Sequence, residues 1–140
     1  MRALQLPGPR RRMIEVDTPE PVPGEGEVLV AVAAAGLCHS DVHYRSGHRP
    51  LGTHPMTLGH EVAGRVVAVG AGVDGRRVGQ NVALHYVLSC NSCRRCHRFG
   101  EQFCESYEML GVTVPGGFAE YIAIPERNAV PVPPSVDIAH

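Results

Sequence analysis

The chain has 140 residues, the size of one domain, and its 16 glycines, 12 prolines and 5% aromatic residues predict short strands and turns and exclude a helical bundle. All 13 basic residues are arginines, since the sequence contains no lysine, and 14 acidic residues bring the net charge to -1. A nucleic-acid partner is therefore not expected, because nucleic-acid binding requires a basic surface, and positive charge is concentrated only at residues 10–12 and 94–98.

The first half of the chain predicts three strands and one short helix. Residues 1–6 alternate weakly and end at a Pro-Gly-Pro turn, and residues 13–16 are expected to return as a second short strand. Residues 18–26 contain three prolines and two glycines and predict an extended loop. The valine-rich residues 27–34 are typical of a buried strand. Residues 38–46 lack strand alternation and contain the helix-starting types serine and aspartate, so a short helix is predicted there.

The second half predicts further strands around a cysteine-rich segment. Residues 61–70 and 79–87 each favour a strand, and residues 117–125 alternate clearly enough for another. Residues 129–134 are expected to be an extended exit. Residues 89–107 have almost no apolar periodicity and carry four cysteines, so something other than a hydrophobic core must organise them. Together these segments predict a mainly β fold of about six or seven short strands, either a barrel or a sandwich.

Compartment follows from the N-terminus and the cysteines. The apolar start is interrupted at Pro7, which excludes a signal peptide, and the longest apolar stretch, residues 28–35, is too short to span a membrane. We therefore expect a soluble cytoplasmic protein with no membrane partner. In that compartment, five cysteines favour metal ligands or reduced thiols over disulfides, and an odd number cannot pair completely.

The strongest chemical signal is the spacing of four cysteines, Cys90, Cys93, Cys96 and Cys104. Thiolates this close in a loop can bind one tetrahedral zinc ion at about 2.3 Å, and four of them leave no position open for a substrate. A structural zinc is therefore predicted. An iron–sulfur cluster fits the last spacing less well, and unliganded thiols or disulfides are the remaining alternative. His97 lies inside the loop and is expected to face solvent.

A second signal is Cys38, followed later in the chain by His60 and Glu61. A catalytic zinc needs about three protein ligands and one exchangeable position, and cysteine with histidine suits alcohol or carbonyl chemistry. Taken singly, however, a cysteine after a valine-rich strand is more often a small buried residue, and a histidine before a strand is more often a loop residue.

Taken together and in this order, the motifs resemble the zinc-dependent medium-chain alcohol dehydrogenases, and the resemblance covers essentially the whole chain. Its segments are GLCHSDVH around Cys38, LGHE around His60, the four-cysteine loop, and GGFAEYI, which begins at Gly116. The resemblance implies a GroES-like, partly open β-barrel domain over residues 1–140, with a structural-zinc lobe at about 88–108. It also implies two zinc sites, one structural and one catalytic, with Cys38 and His60 among the catalytic ligands.

Further roles follow from the resemblance residue by residue. Ser40 corresponds to the hydroxyl that accepts the proton of the substrate. His43 corresponds to the outer base of the relay, which receives this proton through the cofactor ribose. The alternatives are a helix cap and a surface histidine. Asp41 is expected to orient His60. Glu61 corresponds to the acid that enters the metal coordination transiently, although a structural carboxylate is an equal alternative.

Two weaker correspondences concern the cofactor and the substrate. His39 occupies the position that in the family often contacts the cofactor pyrophosphate, and a plain surface histidine is the alternative. Tyr86 falls where the family often lines the substrate pocket with an aromatic side chain, and ordinary packing is the alternative.

A glycine motif at residues 70–75 has the literal form GxGxxG, which is also the form of a dinucleotide-binding loop. Its last glycine should then open a helix, but the residues that follow contain glycine and strand formers, so a β-turn is predicted instead. No other segment suits a nicotinamide cofactor. We therefore expect a catalytic-domain fragment without a Rossmann domain, in which NAD(P) binds only in the full-length enzyme. The third zinc ligand is expected downstream, with His140 or water as alternatives.

The resulting hypothesis is the catalytic domain of an NAD(P)-dependent oxidoreductase that converts a small alcohol to an aldehyde or ketone. This chain alone is expected to be inactive. The alternative hypothesis is a non-enzymatic, zinc-stabilised module with a vestigial catalytic site. The sequence leaves open which alcohol is used, which of NAD and NADP is bound, and whether a homo-oligomer forms.

Overall fold

Three antiparallel sheets and two short helices form the protein, whose computed structural model describes residues 1–139. Residue 140 lies outside the described residues. The strands are β1 (Arg2–Leu6), β2 (Ile14–Asp17), β3 (Glu27–Gly36), β4 (Met56–Thr57), β5 (Glu61–Val69), β6 (Asn81–Leu84), β7 (Val87–Leu88), β8 (Glu108–Met109), β9 (Tyr121–Pro125) and β10 (Ala129–Pro131). The helices are α1 (His39–Ser46) and α2 (Arg94–Phe99). The mainly β fold predicted from the sequence is confirmed.

A five-stranded sheet in the order β10-β6-β5-β3-β9 curls into a half-barrel and carries the main core. Its longest pairing joins β3 and β5, both rich in valine, whose branched side chains suit a buried pleated surface. The fully buried side chains of this core include Val28, Val30, Val66 and Ile124. The remaining buried cluster members are Val62 of β5, Val82 and Leu84 of β6, Ile122 of β9, Ala129 of β10, and Leu110.

A three-stranded sheet in the order β2-β1-β4 packs on a second, smaller hydrophobic cluster. Leu6, Met56 and Leu58 are buried there together with Tyr44, which α1 contributes. The Tyr44 side chain therefore anchors α1 against the sheet. Backbone bonds from Leu4 N–H to the Phe118 carbonyl and from Val32 N–H to the Glu120 carbonyl connect this sheet with the half-barrel.

The cysteine-rich segment leaves the half-barrel through a narrow neck. Strands β7 and β8 pair there, with Val87 opposite Met109 and Leu88 opposite Glu108, so the two strands bracket residues 89–107. Buried Asn128 donates to the carbonyls of His85 and Val87 and fixes the start of this neck.

Several sequence predictions of local structure need correction. Residues 79–87 form two strands, β6 and β7, rather than one, and the strand predicted from residue 117 begins only at Tyr121. Helix α1 begins at His39, one position before the expected starting residues, and Cys38 is its N-cap. Strand β4 and the pairing of β7 with β8 were not predicted, because two-residue strands are too short to show an alternation of apolar and polar residues.

The glycine motif at residues 70–75 belongs to a turn, as predicted. Residues 75–77 form a single 3-10 turn, and the strands on either side of it, β5 and β6, pair antiparallel. A dinucleotide-binding loop requires a parallel βαβ unit, so this motif does not bind a dinucleotide in that way. Within residues 1–139, neither helix is long and apolar enough for a membrane span.

Gly64 in the middle of β5 provides a test of how closely β3 and β5 approach. A Cβ atom at this position would lie 2.2 Å from the carbonyl oxygen of Ala31 and 2.7 Å from Cγ1 of Val30. We expect Gly64→Ala to lower the free energy of unfolding by about 1–3 kcal/mol, because the strands must separate to admit the methyl group. Urea unfolding measures the change as a lower midpoint at a constant slope.

The matched control is Gly75→Ala, since no atom lies within 4 Å of a Cβ at that exposed position. This variant is expected to stay within about 0.5 kcal/mol of the wild type. Equal unfolding midpoints for the two variants would show that the β3–β5 contact is not the constraint described here.

Candidate metal centre and active-site cleft

The end of the β3–β5 ladder brings Cys38 and His60 together. Gly36, the last residue of β3, pairs with Glu61, the first residue of β5. Cys38 follows that pair by two residues and His60 precedes it by one, so both side chains emerge at the same edge of the half-barrel. Sulfur and nitrogen or oxygen ligand atoms of Cys38, His60 and Glu61 all lie within 4.8 Å of one another.

These donors are compatible with one zinc ion, for which cysteine, histidine and carboxylate are ordinary ligands. Cys38 and His60 are partly buried, and Glu61 is exposed at the edge of the cleft. The structure therefore brings together the residues predicted for the catalytic metal. The alternative ligand His140 lies outside the described residues.

The buried carboxylate of Asp41 connects the two predicted metal ligands. Its Oδ2 atom accepts a hydrogen bond of 2.9 Å from the backbone N–H of Cys38, which also caps α1. Its Oδ1 atom lies 3.7 Å from Nδ1 of His60, and both atoms are buried without a hydrogen-bond partner. Since Nδ1 of His60 faces this carboxylate, Nε2 is the ring nitrogen available to a metal. Asp41 therefore lies where an orienting residue is expected.

A cleft of about 340 Å³ opens beside Cys38 and His60. Ser40 lines it, with Oγ 3.6 Å from Sγ of Cys38, and so does Tyr86, whose ring centre is 5.6 Å from that of His60. Both were candidates from the sequence. Four further lining residues were not: Tyr44, Arg49, Met109 and Val112. Arg49 could have been noticed as one of two arginines, with Arg45, between the two predicted metal-ligand segments, whereas Met109 and Val112 carry no such signal.

His43 and His39 lie on α1 but do not line this cleft. The ring centres of His39 and His43 are 4.7 Å apart, and those of His43 and His48 are 5.2 Å apart. Partial burial, followed by the charges of His39, His48 and Arg49, lowers the pKa of His43. A neutral imidazole results, which can accept a proton. His39 is exposed and borders a separate hollow with Leu37 and Val42.

The four remaining cysteines converge in the lobe. Sγ atoms of Cys93 and Cys96 are 3.5 Å apart, as are those of Cys90 and Cys104, and the Cys90–Cys96 separation is 3.9 Å. Four sulfurs at about 2.3 Å from a tetrahedral zinc would stand about 3.8 Å apart. The sulfurs are much too far apart for disulfides, and all four thiols are free.

Local structure explains how the lobe brings the sulfurs together. Helix α2 begins after Cys93, whose sulfur accepts from the backbone N–H of Cys96 at 3.4 Å. Asn91 adopts a left-handed backbone with φ of 51°, which turns the chain between Cys90 and Cys93. His97 is exposed, as expected, and does not belong to the sulfur cluster.

The thiols of the cluster differ in acidity. Hydrogen bonds from the backbone and hydroxyl of Ser92, and then from Cys93 and Cys104, lower the pKa of Cys90 to about 5. Burial, followed by hydrogen bonding with Cys93 and Cys104, raises the pKa of Cys96 to about 12. At neutral pH the metal-free cluster therefore combines a thiolate at Cys90 with a protonated thiol at Cys96, and a bound metal ion would displace the remaining protons.

Comparison with known proteins gives consistent matches over most of the chain. Residues 24–134 match the alcohol dehydrogenase GroES-like domain. An L-threonine 3-dehydrogenase of Symbiobacterium thermophilum is 42% identical over 137 residues, which cover 91% of this chain and 37% of that protein.

Two solved structures have the same fold. RspB of Escherichia coli CFT073, an alcohol dehydrogenase complexed with NADH, superimposes with a TM-score of 0.88 and 39% identity, covering 99% of this chain and 40% of that one. A cobalt- and zinc-bound thermostable alcohol dehydrogenase of Pyrobaculum aerophilum gives a TM-score of 0.85 and 35% identity, covering 94% of this chain and 40% of that one. The chain spans about 40% of the length of these relatives.

The unequal thiol acidities predict selective alkylation of the metal-free protein. At pH 7, which is above its pKa of about 5, Cys90 reacts as a thiolate, whereas Cys96, with a pKa of about 12, stays protonated. We expect iodoacetamide to modify Cys90 at pH 6–7 and to spare Cys96, as measured by peptide mass spectrometry over a pH series. Zinc-loaded protein is the control, in which both are protected. Equal labelling of the two thiols at pH 7 in the folded, metal-free protein would contradict these acidities.

Proposed function

The chain belongs to the alcohol dehydrogenase GroES-like domain family, and on that basis we propose that it is the substrate- and metal-binding part of a zinc-dependent, NAD(P)-dependent alcohol dehydrogenase. The observation that carries the proposal is the convergence of Cys38, His60, Glu61 and Ser40 on one cleft. Because the chain spans about 40% of its relatives' length, the activity of the whole protein and its coenzyme-binding part belong to the proposal.

Cys38 and His60 are proposed to hold the catalytic zinc, with Glu61 as the third donor that the described residues offer. A bound zinc ion supplies Lewis-acid polarisation of the substrate oxygen. Asp41 positions both ligands, since one of its oxygens holds the backbone of Cys38 and the other faces Nδ1 of His60. The backbone N–H of Cys38 compensates one oxygen of this buried carboxylate, whereas the other oxygen faces Nδ1 of His60 at 3.7 Å without a hydrogen bond.

Ser40 is proposed to accept the proton of the substrate hydroxyl at Oγ. Its hydroxyl lines the cleft beside Cys38 and can accept one proton while donating its own. His43 is one helical turn further along α1, and its lowered pKa keeps the ring neutral and ready to accept. No hydrogen bond joins Ser40 to His43 within the described chain. A proton would therefore need a bridging group between them, and the hydroxyl of a cofactor ribose would supply one when the cofactor is bound.

The remaining candidates surround this centre. Tyr86 is proposed to contact the substrate, since it lines the cleft beside His60. His39 is proposed to contact the cofactor pyrophosphate, and its exposed position in a hollow next to the cleft is compatible with that role. The relative RspB was solved with NADH, which supports a nicotinamide cofactor for this protein as well.

Cys90, Cys93, Cys96 and Cys104 are proposed to hold a structural zinc. The lobe between β7 and β8 contributes no fully buried apolar side chain of its own, so its folded shape depends on the four sulfurs. The zinc- and cobalt-bound relative from Pyrobaculum aerophilum supports metal binding in this family. This site has no role in the reaction, because four thiolates leave no open position.

Metal content and turnover together test the proposed function. We expect the full-length wild-type protein to hold two zinc ions per chain, and Cys38→Ser and Cys104→Ser to lose one ion each. Only Cys38→Ser should abolish NAD(P)-linked alcohol oxidation, by about 10³-fold or more, because several kcal/mol of polarisation are lost. Metal analysis and steady-state kinetics on the same samples measure both effects. One zinc per chain and no turnover in the wild type would favour a non-enzymatic, zinc-stabilised module.

The proton-accepting role of Ser40 has its own test. Ser40→Ala is expected to lower kcat by about 10²- to 10⁴-fold, the range of general acid–base catalysis, while zinc content stays the same. Ser40→Thr should retain activity because it keeps the hydroxyl. Ser46→Ala is the matched control, since Ser46 lies at the far end of α1 and bonds only the carbonyl of His43 and the N–H of His48. A Ser40→Ala enzyme with unchanged kcat and pH profile would refute the role.

A further inference from the structure

Arg49 is the one cationic side chain of fixed charge that lines the active-site cleft. The turn that ends α1 places it there. Gly47 caps the helix with φ of 77°, and the backbone N–H groups of His48 and Arg49 then bond to the carbonyl of His43 at 3.0 and 3.3 Å. The chain therefore folds back over the end of the helix, beside Tyr44, which lines the same cleft.

Arg49 has no ion pair and no side-chain hydrogen bond in the part of the chain that the structure describes. Other arginines do have carboxylate partners at 2.9–3.1 Å, namely Arg2 with Glu120, Arg76 with Asp74, Arg77 with Glu126 and Arg95 with Glu105. Glu61 is the acidic residue that lines the cleft, and it forms no ion pair with Arg49. The guanidinium thus stands beside the predicted reaction centre with its donors unused.

The charge of Arg49 influences the pKa values of two side chains of α1. It opposes the rise in the pKa of Tyr44, which is raised mainly by burial, and it contributes to the lowered pKa of His43. Both effects are consistent with a guanidinium close to α1. A guanidinium presents a rigid fork of N–H donors whose geometry matches the two oxygens of a carboxylate or a phosphate.

We propose that Arg49 binds an anionic group, a carboxylate or a phosphate, on the alcohol that the enzyme oxidises. The inference rests on the proposed function and narrows it: the substrate class is a hydroxy acid or a phosphorylated polyol, not a neutral alcohol. The hydroxyl under reaction lies toward Ser40 and Cys38, and the anionic group lies toward Arg49.

The anion belongs to the substrate and not to the coenzyme because of which residues share the cleft. Arg49 lines it with Ser40, Tyr86 and Met109, the side on which the substrate is proposed to bind. His39, the residue proposed to contact the cofactor, lines a neighbouring hollow that shares only Cys38 with this cleft. Arg45 is the arginine of that hollow, and Arg49 does not line it. The cleft volume of about 340 Å³ lies at the small end of ligand sites, which suits a compact polyhydroxy acid.

The experiment compares neutral and anionic forms of the same carbon skeleton in the full-length protein. The probes are glucitol, gluconate and glucitol 6-phosphate, together with their galacto isomers. Wild type is expected to favour at least one anionic probe in kcat/KM. Arg49→Gln should lower the ratio of kcat/KM for that probe to kcat/KM for its neutral counterpart by about 10- to 100-fold, since any effect that acts through His43 is shared by all probes. Arg49→Lys should retain part of the preference, and added salt should weaken it.

A binding measurement without coenzyme accompanies the kinetics. Isothermal titration of the zinc-loaded protein with the preferred anionic probe should give a Kd that rises by the same factor in Arg49→Gln. Arg12→Gln is the matched control, since Arg12 is exposed, lines none of the clefts described here and has no ion pair within residues 1–139. Because the Arg49 side chain is exposed and unpaired, the thermal midpoint of Arg49→Gln should equal that of the wild type.

The outcomes separate this inference from the proposed function. Dehydrogenase activity without an Arg49-dependent preference for anions overturns the inference and leaves the function standing. Arg49-dependent anion binding without dehydrogenase activity overturns the proposed function and leaves the assignment of Arg49 to anion binding standing. A raised KM for NAD(P) in Arg49→Gln, with unchanged selectivity among the polyols, would assign Arg49 to the coenzyme and also overturn the inference. If no probe is bound and none is turned over, both the inference and the proposed function are overturned.

Discussion

The antiparallel pairing of β3 with β5 is the constraint on which the candidate active site depends. The two strands run together from Val28 opposite Val69 to Gly36 opposite Glu61, and their valines fill the main core. Hydrophobic burial therefore fixes the register of the ladder, because a slip of one residue would turn the core valines outward. The same register decides that Cys38 and His60, which are 22 positions apart in sequence, emerge side by side.

Asp41 adds the precision that a strand register alone cannot provide. A ladder places backbones, but a metal needs two side chains in fixed orientations. One carboxylate accepts a hydrogen bond from the backbone of Cys38 and faces the ring of His60. The same side chain therefore caps α1 and lies where it can orient a proposed metal ligand. Tyr44, buried three positions later on α1, holds the helix against the second core and so keeps Asp41 in place. The sulfur cluster of the lobe is built differently, from short loop spacings and without a core.

The sequence predicted much of this arrangement, and the failures have physical causes. Long valine-rich strands and closely spaced cysteines are local signals, so β3, β5 and the sulfur cluster were recognisable from the chain alone. The neck strands β7 and β8 have two residues each and depend on a pairing between distant segments, which no local pattern shows. Arg49 and Met109 reach the cleft only because a left-handed turn and the neck return the chain there. Residues placed by such long-range folding carry no periodicity of their own.

Charge balance on the cleft wall links the metal centre to the substrate. A divalent cation at the proposed site would be neutralised by the Cys38 thiolate and the Glu61 carboxylate that are proposed to hold it. The carboxylate of Asp41 accepts a hydrogen bond from the backbone of Cys38 and faces the ring of His60, and it does not line the cleft. The guanidinium of Arg49 is then the one positive charge on the wall left without a counterion. When a neutral alcohol fills the cleft, the guanidinium loses contacts with water and gains no ionic partner. A carboxylate or a phosphate would form an ion pair with it.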